Sequence, residues 1–259
     1  MRKWITNKLL PDYTKRQKFT ISKHLKDLEK NKKQTQVFAF AQSSVFSSLI
    51  EGSGIDFDSY LFNKETGHKS RSMDQIEDLI KAYQFAKTHT LNYKNVLKAH
   101  TILSNNFDID PKYKGAIRDK EVRIGNNITT IYTGTTVNKL QSEIELFFNE
   151  VEAVSKRKRF SLTEAFYYAS TIHMIFVNIH PFADGNGRVS RLLEKWFLSK
   201  IIGDIAWYLP SEINYYVKKE KYYSNLNLLG KSYDTLNYDN AIPFLLMLPT
   251  CFSLSKKYY

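Results

Sequence analysis

The sequence is poor in the residues that build disulfides, tight turns and membrane spans. Among its 259 residues are one cysteine, six prolines and ten glycines. The single cysteine, Cys251, excludes an internal disulfide and suits a reducing compartment. No apolar run approaches the ~18 residues that a membrane helix needs, and Met1 to Trp4 are not followed by the apolar segment of a signal peptide. We therefore expect a cytoplasmic protein without a membrane anchor.

Basic residues are abundant. There are 38 lysines and arginines against 26 acidic residues, which gives a net charge of +12. Such a surface is typical of nucleic-acid-binding proteins, so that class has to be considered. However, the basic runs are mixed with acidic residues and no nucleic-acid-binding motif is recognisable, so we do not expect nucleic-acid binding as the main function. An acidic protein target, or attraction of an anionic ligand to a cleft, would use the same charge.

Hydrophobic periodicity predicts helices along most of the chain. They cover residues 20–32, 36–51, 73–88, 93–104, 136–155, 162–179, 187–201, 211–229 and 240–248. No internal repeat or long linker is visible, and 42% of the residues are hydrophobic, enough for an ample core. The sequence predicts an all-α protein with one β-hairpin.

The densest group of chemically useful residues lies between two predicted helices. It reads His-Pro-Phe-Ala-Asp-Gly-Asn-Gly-Arg-Val-Ser-Arg and covers residues 180–191. Pro181 cannot continue the apolar helix before it, so that helix should end at His180. Gly185 and Gly187 allow the backbone to turn sharply and to approach a ligand. Because a new helix begins at about Gly187, its first amide groups should point into the loop and bind an anion.

The charged residues of this loop fit a polyphosphate. Arg188 and Arg191 lie near the start of a helix, where a cation opposes the helix dipole by about 0.3–1 kcal/mol unless an anion is bound there. Asp184 offers oxygen atoms to a divalent cation that would bridge phosphate oxygens. His180, with an ordinary pKa of about 6.5, can accept a proton from an attacking hydroxyl.

These twelve residues resemble the signature of the Fic family, His-Pro-Phe-x-Asp/Glu-Gly-Asn-Gly-Arg-x-x-Arg, with every specified position matched. The resemblance implies a helical bundle and an enzyme that transfers AMP from ATP to a Ser, Thr or Tyr hydroxyl of a protein. It also implies that His180 is the catalytic base and that Asp184 binds Mg²⁺. The nucleotide-binding residues implied by the loop are Gly185, Asn186, Gly187, Arg188 and Arg191.

A second pattern lies upstream, where Ser47-Ser48-Leu49-Ile50-Glu51-Gly52 ends the predicted helix 36–51. An acidic residue is disfavoured in a last helical turn, just as arginines are in a first turn, so each would be stabilised by contact with the other. The segment resembles the Ser/Thr-x-x-x-Glu-Gly/Asn inhibitory motif of self-restrained Fic proteins. That resemblance implies that Glu51 and Ser47 are inhibitory residues, and that Glu51 pairs with Arg191 and blocks the outer phosphates. The alternative is a solvated helix end.

Residues 115–131 contain two short β-prone runs around Gly125-Asn126-Asn127, which predicts a hairpin. The segment resembles the Fic flap, which clamps the modified side chain of the target by strand-like main-chain pairing. A surface hairpin without a ligand is the alternative. The target-docking residues implied by the resemblance are Ile117, Arg118, Val122 and Ile124.

The predicted helix 211–229 carries Tyr222 and Tyr223. They resemble the paired tyrosines that line the adenine side of the Fic site, although packing in the core is the alternative. Many relatives have an asparagine about two turns later, where this chain has Leu229-Gly230. ATP is therefore inferred from the resemblance, with UTP and GTP as alternatives.

The remaining histidines and the cysteine do not form a second site in the sequence. His100 and His173 lie in apolar stretches of predicted helix, where a hydrogen-bonded core residue is the expected state. With one cysteine and no zinc-type spacing, no further metal cluster is expected.

The resemblance to Fic proteins extends over about residues 40–229. We expect residues 1–70 to form a helical arm that contains the inhibitory helix. Residues 71–259 should form the Fic catalytic core with its C-terminal helices, and the two parts should make one compact body.

Two functions from different classes remain open. The first is a Mg²⁺-dependent protein adenylyltransferase restrained by Glu51, acting on an unidentified protein or on itself; a variant removes AMP from a modified target. The second is a nucleotide-sensing binding protein that is inactive as a transferase, whose homodimer or partner state responds to ATP. The combination of His180, Asp184 and Asn186 favours an enzyme, since binding alone requires no base beside the phosphate.

Overall fold

The computed structural model describes residues 5–31, 35–52, 55–125 and 130–254. Within these ranges the chain forms twelve α-helices and one two-stranded sheet, which confirms the predicted fold class. The first six helices are α1 (Leu10–Arg16), α2 (Ile21–Asn31), α3 (Gln36–Ile50), α4 (Phe57–Thr66), α5 (Arg71–Thr88) and α6 (Tyr93–Leu103). The strands β1 (Arg123–Gly125) and β2 (Thr130–Thr133) follow. The last six helices are α7 (Val137–Ser155), α8 (Leu162–Ile179), α9 (Asn186–Ile202), α10 (Ser211–Val217), α11 (Lys219–Asn227) and α12 (Ile242–Leu245).

Helix α8 is the central element of the core. Its start is fixed by a capping box, in which Ser161 accepts from the Glu164 amide at 3.1 Å and the Glu164 carboxylate accepts from the Ser161 amide at 2.9 Å. Nearly the whole helix is buried, and α9 packs along it. On another side Phe176 of α8 meets Phe147 of α7, with ring centroids 5.6 Å apart. The core therefore fixes both helices that flank the loop 180–185.

Helix α3 is buried on most of its surface and packs against α5, α9 and α10. Thr35 caps its start by accepting a hydrogen bond from the Phe38 amide. Phe40 lies against Tyr83 of α5, with ring centroids 5.9 Å apart, while four serines, all buried, occupy the other half of the helix. The end of α3 is thereby held next to the start of α9.

The two strands pair antiparallel, with Arg123 opposite Thr133 and Ile124 opposite Tyr132. The register shifts between Ile124 and Gly125. The Thr133 amide also donates to the Lys231 carbonyl at 2.9 Å, which ties β2 to the C-terminal part of the chain. The predicted turn residues Asn126 and Asn127 lie outside the described residues.

Most predicted helices are confirmed within one or two residues, but two are wrong in detail and two helices were missed. The predicted helix 211–229 is divided at Lys218, whose backbone leaves the helical region (φ −109°, ψ 35°). Helix α12 ends at Leu245 rather than at 248, and a separate 3₁₀ turn begins at Pro249, which has no amide hydrogen to donate. Helices α1 and α4 were not predicted. The last predicted residue of the helix 20–32 lies outside the described residues.

Among the described residues, no helix is both long enough and apolar enough to cross a membrane.

Candidate active site

The loop between α8 and α9 turns at His180. Its backbone lies in the left-handed region (φ 56°, ψ 59°), which only this non-glycine residue adopts among the described residues. A residue with a side chain is strained there by about 1–3 kcal/mol, so the surrounding contacts must hold it. Two of these contacts come from Arg118: its amide donates to the Pro181 carbonyl at 3.0 Å, and its Nε donates to the His180 carbonyl at 2.8 Å.

Arg118 holds the loop from inside the protein, which corrects its predicted place on the docking surface. The residue is only 4% exposed. Besides the His180 carbonyl, its guanidinium donates to the carbonyl of Lys120 at 2.7 Å and to that of Thr135. It therefore joins the loop to both ends of the hairpin segment and is not available to a docked protein.

His180 is a neutral imidazole with a free acceptor nitrogen. Its Nδ1 lies 3.0 Å from the Val177 carbonyl, an acceptor, so Nδ1 carries the hydrogen and Nε2 keeps its lone pair. Burial, helped by the Arg118 charge, lowers the pKa of His180 to about 4, although the Val177 hydrogen bond and the charges of Glu51 and Asp184 act in the opposite direction. At neutral pH the ring can therefore accept a proton at Nε2.

Asn186 shapes the loop with its side chain. Its Oδ1 accepts from the Phe182 amide and its Nδ2 donates to the Phe182 carbonyl, both at 2.8 Å. The side-chain amide of Asn186, a predicted nucleotide-binding residue, is therefore hydrogen-bonded within the loop, where it closes the turn before α9. Gly185 takes the left-handed conformation (φ 82°) that this turn requires.

His100 supports the same loop from α6. Its Nδ1 accepts from the Gly115 amide at 2.9 Å, so Nε2 carries the hydrogen and donates to the Asp184 carbonyl at 2.9 Å. Its ring stacks on Phe182, with centroids 3.7 Å apart. The expectation of a hydrogen-bonded core residue is confirmed, but its partners, the Gly115 amide and the Asp184 carbonyl, could not be predicted from the sequence.

Asp184 is exposed at the edge of the loop, and its Oδ1 accepts from the Gly185 amide at 2.6 Å. The described residues contain no cluster of three or more His, Cys, Asp or Glu side chains that would bind a metal alone. A single carboxylate still fits Mg²⁺, which commonly uses one or two carboxylates together with phosphate oxygens and water. The residues present therefore fit a cation that arrives with a nucleotide.

The two arginines of the loop lie side by side on α9 and are both buried. The Arg188 guanidinium lies over the Phe107 ring, 4.6 Å from its centroid. Two of their nitrogens, Arg188 Nε and one terminal nitrogen of Arg191, are buried and have no hydrogen-bond partner. A buried donor without a hydrogen-bond partner lowers the stability of the folded protein. An anion that reached these two nitrogens would therefore be bound strongly.

Glu51, at the end of α3, occupies part of this anion site. Its carboxylate accepts from Arg191 at 2.6 Å, and the Ser47 hydroxyl accepts from Arg191 Nε at 2.8 Å. Burial alone would raise the pKa of Glu51, but the charge and hydrogen bond of Arg191 outweigh it and the pKa is lowered. A Cβ atom placed on Gly187 would lie 2.2 Å from the carboxylate, so only glycine leaves room for Glu51 there.

The predicted adenine-side tyrosines point in different directions. Tyr222 is buried, and its hydroxyl lies 3.0 Å from Nε2 of His173, whose Nδ1 lies 3.0 Å from the Glu194 carboxylate. Tyr223 is half-exposed and donates to the Ile50 carbonyl at 3.1 Å. Tyr223 therefore caps the end of α3, whereas Tyr222 and His173 belong to the core, as expected for His173.

The hairpin lies directly beside the candidate base. A Cβ atom on Gly134, which follows β2, would lie 3.1 Å from the His180 Cβ and 2.8 Å from the Val122 side chain. Ile124 is exposed at 36%, while Ile117 and Val122 are partly buried. The strand that would receive an extended target segment thus lies within reach of His180.

Comparison with known proteins finds similarity to one family. The sequence model of the Fic/DOC family matches residues 90–198, a range that includes α6, the hairpin, α8, the loop and most of α9. Over these residues the chain is similar to the Fic/DOC family. The match leaves α3 outside the family model, so Glu51 lies outside the matched range.

Among curated proteins, the Fic protein adenylyltransferase of Aedes aegypti is 27% identical over 179 residues. The alignment covers 69% of this chain, and the chain spans 31% of the length of that relative. Two solved structures share the fold. A Fic family protein from Desulfovibrio desulfuricans has a TM-score of 0.68 at 17% identity, covering 97% of this chain and 72% of that one. A Fic domain protein from Bacteroides thetaiotaomicron has a TM-score of 0.64 at 15% identity, covering 95% and 91% respectively.

Arg118→Met should destabilise the folded protein. The substitution leaves three carbonyl oxygens without their donor, at about 1–3 kcal/mol for each buried one, so we expect the free energy of unfolding to fall by roughly 3 kcal/mol. Urea denaturation measures the change. The matched control is Arg123→Met, because Arg123 is exposed on β1 and its loss should cost less than ~0.5 kcal/mol. Equal losses for the two variants would contradict this account.

His180 should titrate well below an ordinary histidine. Nitrogen-15 NMR of the imidazole in the nucleotide-free protein should give a pKa near 4. In Glu51→Gly the pKa should be lower still, since a nearby negative charge that favours the protonated ring is lost. Because the unfolded chain binds this proton first, His180 also makes the folded state less stable as the pH falls from about 6.5 towards 4. A pKa above 6 would show that the ring is solvated.

Proposed function

We propose that this protein is a Mg²⁺-dependent adenylyltransferase that transfers AMP from ATP to a hydroxyl of a protein. The observation that supports this most directly is the position of His180. Its free Nε2 belongs to the same loop as Asp184 and the first turn of α9, where the two buried arginines lie. A protein that only binds nucleotide has no need of a neutral base beside the phosphates.

In this proposal the attacking group is a Ser, Thr or Tyr hydroxyl. As its oxygen forms a bond to the α-phosphorus, the bond to the bridging oxygen of the β-phosphate breaks and diphosphate leaves. The proton of the hydroxyl passes to Nε2 of His180, while the hydrogen on Nδ1 stays bonded to the Val177 carbonyl. That bond keeps the ring in one orientation and one tautomer throughout the step.

The remaining residues of the loop position the nucleotide. The amide groups at the start of α9 face the α-phosphate, and Arg188 and Arg191 hold the outer phosphates. Bound Mg²⁺, held by Asp184 and phosphate oxygens, would neutralise charge on the phosphates. Tyr223, at the edge of the site, is assigned to the adenine side, whereas Tyr222 packs behind it in the core.

The hairpin is assigned to the protein target. An extended segment of the target would pair with the main chain of the hairpin and bring its hydroxyl to His180. Ile117, Val122 and Ile124 would contact that segment. An acidic target is attracted by the net charge of +12, and a hydroxyl or tyrosine of a second copy is one candidate.

Glu51 restrains the reaction in this proposal. Its carboxylate lies on Arg191 and above Gly187, so the outer phosphates would meet a negative charge and find one arginine already bound. Productive binding of ATP then requires Glu51 to leave. The nucleotide-sensor alternative is favoured by the same contact, since a Glu51 that never leaves would permit binding without transfer.

Wild type, Glu51→Gly and Glu51→Gly/His180→Ala, each incubated with ATP and Mg²⁺ and weighed intact, distinguish these functions. We expect added AMP on Glu51→Gly, at least tenfold less on wild type, and none on the double variant, because the restraint and then the base are removed. The control is Glu145→Gly, which removes a carboxylate from the surface of α7 far from the loop in sequence. Transfer by the double variant would exclude His180 as the base.

The samples are also tested with cell lysate and with UTP and GTP in place of ATP. If no variant transfers a nucleotide under any of these conditions, the adenylyltransferase proposal is contradicted and the nucleotide-sensing protein is favoured. Equal transfer by wild type and Glu51→Gly would agree with the adenylyltransferase proposal but exclude inhibition by Glu51. Calorimetry with ATP, performed on the same samples, shows whether the nucleotide is bound in each case.

A further inference from the structure

The contacts between α3 and α9 repeat every four residues. The residues concerned are Ser43, Ser47 and Glu51 on α3 and Lys195, Arg191 and Gly187 on α9. Residues four apart lie on one face of a helix, so each set forms a row, and the two rows run in opposite directions. Three contacts result: Lys195 Nζ to the Ser43 hydroxyl at 2.7 Å, Arg191 Nε to the Ser47 hydroxyl at 2.8 Å, and the Glu51 carboxylate against Gly187.

The first of these contacts, between Ser43 and Lys195, lies farthest from the reacting groups and is deeply buried. Ser43 is 5% exposed and Lys195 1%. The Lys195 ammonium also pairs with the Glu212 carboxylate of α10 at 2.7 Å, and Glu212 accepts from the Tyr83 hydroxyl of α5 at 2.6 Å. The contact therefore ties α3 to three other helices through one cluster.

A buried ion pair adds little stability compared with apolar residues of the same size, and its better attested use is to fix one register of packing. An ammonium at this position favours the arrangement in which a hydroxyl of α3 faces it. Movement of α3 along α9 by a fraction of its pitch of about 5.4 Å would break the Ser43 and Ser47 contacts together and draw the Glu51 carboxylate away from Arg191.

We propose that Ser43 and Lys195 are positioning residues for the inhibitory carboxylate: their hydrogen bond sets the register of α3 on α9 and so places Glu51 on Arg191. This inference rests on the proposed function, in which Glu51 restrains transfer. It adds that release of Glu51 involves movement of α3 and is not a rotation of the Glu51 side chain alone. The strength of the contact between Ser43 and Lys195, two helical turns from Glu51, then determines in what fraction of the molecules Glu51 has left Arg191.

Helix α3 offers a matched control. Ser44 is the next residue, is fully buried as well, and has a hydroxyl without a hydrogen-bond partner. Ser43→Ala and Ser44→Ala remove the same atom from the same turn of the same helix. Only the first removes a bond to α9.

The test measures AMP transfer and hydrogen exchange in Ser43→Ala, Ser44→Ala, Glu51→Gly and Ser43→Ala/Glu51→Gly. Loss of one hydrogen bond, about 1 kcal/mol, corresponds to a roughly fivefold rise in the released state, so Ser43→Ala should transfer AMP about five times faster than wild type. Ser44→Ala should match wild type. The double variant should match Glu51→Gly, because the register matters only while Glu51 is present. Amides 47–51 should exchange faster in Ser43→Ala than in Ser44→Ala.

Two results would overturn the inference. One is transfer by Ser43→Ala at the wild-type rate while Glu51→Gly is activated, which leaves the proposed function intact and shows that Glu51 is released without movement of α3. The other is a rise for Ser43→Ala that persists on top of Glu51→Gly, which indicates a general effect on the fold. If no variant transfers AMP, the proposed function fails, and the exchange of amides 47–51 alone decides whether Ser43 sets the register.

Discussion

The buried guanidinium of Arg191 is the constraint on which the arrangement of α3 depends. Arg191 is fully buried on α9, and such a charge must be supplied with acceptors. Helix α3 supplies them from its last turn: the Ser47 hydroxyl, the Ser47 carbonyl and the Glu51 carboxylate. Removing those acceptors leaves the charge uncompensated unless another anion takes their place. Helix α3 is therefore part of the core and, at the same time, the group that an outer phosphate would have to displace.

The two sides of the site are held by separate sets of contacts. On the side of the base, His180 and the loop are fixed by Arg118, by His100 and by the side chain of Asn186, none of which touches α3 through a described hydrogen bond. On the side of the arginines, the contacts with α3 dominate, and Lys219 adds a bond to the Leu49 carbonyl at 3.2 Å. The base is thus in place before any change in α3. In the proposed mechanism only the phosphate-binding half of the site is switched, so restraint does not require the catalytic loop to be rebuilt.

Local signals in the sequence predicted the loop and the helices around it well. Pro181, the glycines and the capping box at Ser161 act within a few residues of their own position, so the ends of α8 and the start of α9 followed from the sequence. Arg118 and His100 were not recognised as supports of the loop, because both bind backbone carbonyls or amides that any residue could provide. The break in the predicted helix 211–229 at Lys218 was not foreseen, because no proline or glycine lies at that point of the sequence. The pairing of Glu51 with Arg191 came from the family resemblance, and the structure adds the two serine contacts that accompany it.

In the proposed mechanism Glu51 and the outer phosphates compete for Arg191. Calorimetry of ATP and AMP binding to His180→Ala and to Glu51→Gly/His180→Ala measures this competition, because neither variant is expected to consume the nucleotide. Loss of Glu51 should strengthen ATP binding at least tenfold, about 1.4 kcal/mol, and leave AMP binding unchanged, since AMP has no outer phosphates. Equal affinities for ATP in the two variants, or an equal gain for AMP, would contradict it.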